Sequence, residues 1–151
     1  MSSAGRALLS LVVGQVFLHS AMAGLRLAVP LLALRLGGGE WRAGLLLAVF
    51  AAAPALLAMP AGRWVDRRGY HRPMRLAVTL VVLGGLCGVG GVLLSGAWGT
   101  VPAAEGGPGP WATLALIGCA LGAGAGCNLG LIAIQRTAGR LASADPREGD
   151  A

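Results

Sequence analysis

Three groups of side chains in this sequence have types and spacings that invite a chemical reading. The first is the run Gly62-Arg63-Trp64-Val65-Asp66-Arg67-Arg68-Gly69-Tyr70-His71-Arg72-Pro73, in which one acid, Asp66, stands among the four arginines Arg63, Arg67, Arg68 and Arg72, with a fifth, Arg75, just beyond. Gly62 and Gly69 permit a tight turn, and the carboxylate is placed to pair with a guanidinium or a helix N-terminus. A basic connection accounts for the arginines but not for a lone acid bracketed by glycines. The second group is Gln15, His19 and Arg26, spaced by four and seven residues. At about 100° per helical residue they fall within roughly 40° of one another, a polar stripe of the kind that faces a bundle interior or a water-filled cavity rather than lipid. The blander roles are hydrogen bonding to neighbouring helices and, for Arg26, snorkelling to an interface. The third group is glycine: Gly118, Gly122, Gly126 and Gly130 repeat every four residues, and Gly84 and Gly88 share that spacing. This small-xxx-small pattern lets helix backbones approach closely.

Other chemistry is poorly served. Cys87, Cys119 and Cys127 lie in apolar runs and read as small buried residues, with no accompanying cluster at metal-ligand spacing. No nucleophile–base pair, phosphate-cradling loop or pair of carboxylates stands in a plausible site. The expectation is a protein that is not an enzyme and needs neither cofactor nor metal.

The elements that must position these residues follow from composition. The chain has 151 residues, 56% hydrophobic and only 12% charged, with a mean hydropathy of +0.73. Soluble domains carry about 25% charged residues, so this chain cannot cover its surface in water. Disorder needs the opposite balance, and three cysteines do not make a disulfide framework. All 12 basic residues are Arg. They sit between apolar runs rather than in a stripe with aromatics, so nucleic acid is not an expected partner. The fold class is therefore all-α integral membrane protein, with the lipid bilayer as its first partner.

A hydrocarbon core about 30 Å thick needs roughly 20 apolar residues per helix. Four stretches qualify, over about 7–36, 43–61, 74–97 and 111–134. Backbone groups in lipid must be satisfied internally, which requires helices. These spans make a membrane domain over 1–135, followed by a polar tail over 136–151. Pro30, Pro54 and Pro60 are expected to kink or end helices, and Trp41, Trp98 and Trp111 to anchor span ends. With the N-terminus inside, nine arginines fall on the inner side, and Arg35 and Arg42 on the outer. That bias predicts both termini in the cytoplasm. A cleaved leader ending near Ala21-Met22-Ala23 remains an alternative for the first span, and it leaves the other spans in the same orientation.

The run from Gly62 resembles the signature loop of the major facilitator superfamily, Gly-x-x-x-Asp-Arg-x-Gly followed by basic residues, between helices two and three. Gly62, Asp66, Arg67 and Gly69 match, and Arg72 supplies the later charge, while Tyr70 and His71 stand where Arg or Lys is usual. The resemblance implies a transporter of small molecules by alternating access, with this loop as a cytoplasmic latch. It covers helices one to four only. It therefore implies the N-terminal four-helix portion of a bacterial-type transporter of the inner membrane, inactive alone and lacking its opposing half. Helix one lines the cavity in that family, which makes Gln15, His19 and Arg26, with Asn128 of the fourth span, candidates for contact with an unknown substrate or a proton. Drug-exporting branches carry an Arg deep in helix four, whereas Arg136 here stands at its inner boundary. Two other readings are a self-associating four-helix exporter and a non-transporting assembly or regulatory protein. The small exporters use a membrane-embedded Glu in helix one, and every acid here lies outside the spans.

Overall fold

The computed structural model describes residues 3–94 and 109–143 as four α-helices: α1 (Ser3–Arg35), α2 (Glu40–Arg68), α3 (His71–Leu94) and α4 (Pro110–Ser143). Trp98, most of the Gly/Pro-rich connection and the tail beyond Ser143 lie outside the described residues. Even the shortest helix, α3 with 24 residues, reaches about 36 Å at 1.5 Å per residue. All four are long and apolar enough to cross a bilayer. The chain is an all-α bundle with the architecture of a multi-pass membrane protein.

The helices outrun the spans read from hydropathy. The second apolar stretch ends near Ala61, yet α2 continues to Arg68; the fourth ends near Ile134, yet α4 continues to Ser143. The reason is physical: hydropathy marks where lipid ends, and a helix ends only where its backbone is broken. Nothing between Arg63 and Arg68 breaks α2. The break comes at Gly69, whose φ of 71° lies in the left-handed region, with its N–H bonded to Val65 O at 3.0 Å. The expected loop over 62–73 is thus a two-residue turn, Gly69–Tyr70. α1 ends in the same manner at Gly37, φ 76°. There Gly38 N–H donates to Ala33 O at 2.8 Å and Gly37 N–H to Leu34 O at 3.0 Å, the paired bonds of a Schellman ending. The prolines end nothing. Pro30 lies inside α1, and Pro54 and Pro60 inside α2.

α4 is the central helix. In its most apolar stretch 56% of residues are buried, against 6% in α1. α3 shares the largest interface with α4, followed by α2 and then α1, while α1 and α3 do not pack together. Glycine spacing explains the α3–α4 pairing. A Cβ at Gly84 would stand 3.1 Å from Ala123 N and 3.2 Å from Gly122 Cα; one at Gly122 would stand 2.8 Å from Leu80 O; one at Gly126, 2.6 Å from Ala77 O. These backbones are too close for side chains between them. Gly88 and Gly118 face Cys119 and Cys87 across the same seam, and Gly130 meets Leu18 of α1. Gly91, against Ala115, and Gly124, against Phe50 of α2, do the same work outside the repeat.

Two buried clusters run along this axis. Phe50, Leu46, Val29, Leu116 and Ala120 form the larger, and Val65, Ala77, Leu129 and Ala133 the smaller. Among the described residues no polar or charged residue is buried. The outer faces carry bare apolar side chains such as Phe17, 73% exposed, and Leu56, 77% exposed. Such patches are untenable in water and ordinary against lipid.

Candidate functional site

The antiparallel course gathers the start of α1, the end of α2, the start of α3 and the end of α4 at one end of the bundle. Ser10, Tyr70, Met74 and Ile134 line one groove there, and Asp66 meets α4 there. Arg6, Arg63, Arg67, Arg68, Arg72, Arg75, Arg136 and Arg140 belong to this end. Glu40 and Asp66 are the only acids among the described residues, and Glu40 is at the other end.

Because α2 stays helical beyond its apolar stretch, Asp66 projects from a rigid helix one turn after Gly62. Its partner is Arg136, seventy residues away on α4, and not one of the arginines beside it in sequence. Arg136 Nη1 donates to Asp66 Oδ1 at 2.9 Å and to Oδ2 at 2.7 Å. One turn further along α4, Arg140 Nη2 reaches Oδ1 at 3.5 Å. Gly62 is buried beside this pair, and a Cβ on it would lie at ordinary contact distance, 3.4 Å, from Arg136 Nη2. The glycine expected to make a turn therefore lies within α2, against a guanidinium. Beside the pair an open cleft of about 870 Å³ runs between α2 and α4, lined by Ala58, Ile132, Gln135, Gly139 and Ser143 together with the charged groups.

Arg67 is exposed in the last turn of α2, and Arg72 is exposed in the first turn of α3. Neither contacts Asp66 by a hydrogen bond or ion pair. Gly69 is the turn residue itself. Sequence reasoning does not single out Arg136 and Arg140 for the site. The available signal is their four-residue spacing, which puts both on one face of α4.

The polar stripe of α1 is split. Leu11, Gln15, Leu18, Met22, Leu25 and Val29 form the packed face, buried or half-buried at alternating steps of four and three. His19 and Arg26 are exposed, about 60–80° round from the middle of that face. His19 Nδ1 lies 3.2 Å from Gln15 O, a contact within the helix. Asn128 is half-buried on α4, and its Nδ2 donates to Pro54 O of α2 at 3.4 Å. Among the described residues no hydrogen bond joins the stripe to Asn128. No group of three or more His, Cys, Asp or Glu among those residues is disposed to hold a metal ion.

No protein-family model, curated protein or solved structure matches the chain. What fold and site define is a class: a membrane-embedded four-helix bundle with an interhelical ion pair at its arginine-rich end.

Proposed function

We propose that this bundle is part of a major facilitator-type transporter of small molecules, working by alternating access with its arginine-rich end in the cytoplasm. The observation that carries the reading is the Asp66–Arg136 pair at 2.7 Å. The acid of a Gly-x-x-x-Asp-Arg-x-Gly pattern, at the junction of the second and third helices, is held by a cation of the fourth. In this reading the pair is the bundle's half of a clip, and an opposing bundle meets it when the cytoplasmic mouth shuts. Alternating access requires two bundles rocking about a midplane site, so the chain acts with a second bundle. The arginine bias supports an orientation with both termini inside, and the family resemblance supports a place in the inner membrane. Gln15, His19, Arg26 and Asn128 are the candidates for substrate and proton contact. The reading involves no catalytic step and no cofactor.

The test is transport. Because the chain acts with a second bundle, vesicles are made from its source cells, which supply that bundle, carrying wild type or Asp66→Asn at equal membrane levels. They are assayed against a strain lacking the chain with a panel of sugars, amino acids, organic anions and dyes. At least one solute is expected to move with the wild type and about tenfold more slowly with the variant, equivalent to ~1.4 kcal/mol on the barrier. A wild type that moves none of them, or equal rates in the two, overturns the reading.

A further inference from the structure

The arginine-rich end holds eight arginines and one carboxylate among the described residues, and two of those arginines share the carboxylate. The ion pair spends Nη1 of Arg136 alone, and Arg140 stands off at 3.5 Å. One negative charge facing two positive ones leaves a net positive triad, and the two guanidiniums repel each other. Both keep donors that Asp66 does not take up, in the planar fork that suits phosphate oxygens. The cleft beside them is amphipathic. Gln135, Arg136, Arg140 and Ser143, with the Asp66 carboxylate, form its polar wall, and Ala58 and Ile132 its apolar one. Gly62 and Gly139 also line it, and nothing lies within 4 Å of where a Gly139 Cβ would stand. The cleft lies towards the ends of two helices long and apolar enough to cross a bilayer, where their apolar stretches give way to arginine, the composition suited to the boundary between headgroup and hydrocarbon.

We propose that this α2–α4 cleft binds the phosphate of an anionic phospholipid, with an acyl chain along Ala58 and Ile132. A free anion would use the arginines and leave the apolar wall unused. A zwitterionic lipid would bring its own cation into a site that is already positive. The bound phosphate takes up Arg140 and the spare donors of Arg136, relieving the repulsion that Asp66 alone leaves. The site requires only that the bundle lie in a bilayer, and it stands whether or not the protein transports.

Wild-type protein in mild detergent is titrated with phosphatidylglycerol and, separately, with phosphatidylcholine of the same chains, and bound lipid is counted by native mass spectrometry. The wild type is expected to retain phosphatidylglycerol preferentially. Arg140→Gln is expected to cut that preference about fivefold, as expected for one basic contact. Gly139→Leu fills the cleft without removing a charge and is expected to cut it as well. Arg75→Gln, at the same end but outside the cleft, is expected to leave it unchanged. Equal retention of the two lipids by the wild type overturns the proposal. Equal loss in Arg75→Gln and Arg140→Gln also overturns it, because that is diffuse surface attraction. Displacement of the lipid by millimolar inorganic phosphate assigns the cleft to a free anion and overturns the lipid; retention supports it. Should Arg140→Gln fold poorly, the comparison of Gly139→Leu with Arg75→Gln decides the matter.

Discussion

Asp66 accepts from two arginines at unequal distances, 2.7 Å from Arg136 and 3.5 Å from Arg140. Its side chain is 40% exposed and that of Arg136 is 52% exposed. An ion pair so open to solvent contributes about 0.2–1 kcal/mol, too little to hold the bundle together. Its value is positional, since it ties the end of α2 to α4. Asp66→Asn and Arg136→Gln are each expected to lower the unfolding free energy by under ~1 kcal/mol in a denaturant titration. Their double mutant is expected to lose no more than Asp66→Asn alone, because Arg136 is by then already idle, whereas Arg136→Gln alone leaves Asp66 its longer contact to Arg140. A summed loss would show that Arg136 has a partner besides Asp66. Gly69 behaves differently. Its φ of 71° suits glycine and strains any residue with a Cβ, so Gly69→Ala is expected to cost about 1–2 kcal/mol by the same titration.

The pairing of α3 with α4 depends on missing side chains. Gly126→Ala would drive a methyl to 2.6 Å from Ala77 O, a backbone atom that cannot swing aside. The expected cost is about 1–3 kcal/mol, typical of overpacking. Gly85→Ala is the control, one residue along from the packed Gly84, with open space where its Cβ would be. It is expected to be neutral or to stabilise by up to ~1 kcal/mol, since alanine favours a helix over glycine. Comparable losses in the two variants would mean that the seam is not where these backbones place it. The four-residue repeat marks this seam in the sequence itself, because a period of four keeps to one face of a helix. Gly91 and Gly124 cannot be found that way. Each matters only through the residue opposite, Ala115 or the Phe50 carbonyl, and single-chain periodicity does not say what lies opposite.

Taken as one object, the molecule is a central helix with three others laid against it and apolar surface facing outward. In a bilayer that surface is matched to its solvent, and helices associate by close packing and polar contacts rather than by hydrophobic exclusion. The arginine bias yields a topological expectation. A membrane-impermeant thiol reagent applied to intact cells is expected to label Arg35→Cys, at the sparsely charged end, and to leave Arg68→Cys unlabelled until the cells are opened. The reverse pattern would place the Asp66 cleft outside the cell and remove the cytoplasmic clip with it.

The four crossings, their order and the excess of arginine at one end are legible from residue types alone, because lipid imposes a local length and polarity on every segment. The turn at Gly69 is legible in type but not in extent. Polarity after Ala61 signals the edge of the membrane, while the backbone, meeting no breaker, stays helical to Arg68. Asp66 is recognisable as unusual from its neighbours, yet its partner is not among them. Ion pairing depends on distances of a few ångströms, and the seventy residues between Asp66 and Arg136 are brought to that distance only when α2 packs on α4. The same packing separates Gln15, half-buried, from His19 and Arg26, exposed, although all three share one arc of α1. Local forces wrote the helices into the chain; which faces meet, and so which charges touch, arose from the fit of glycine against backbone across the interior.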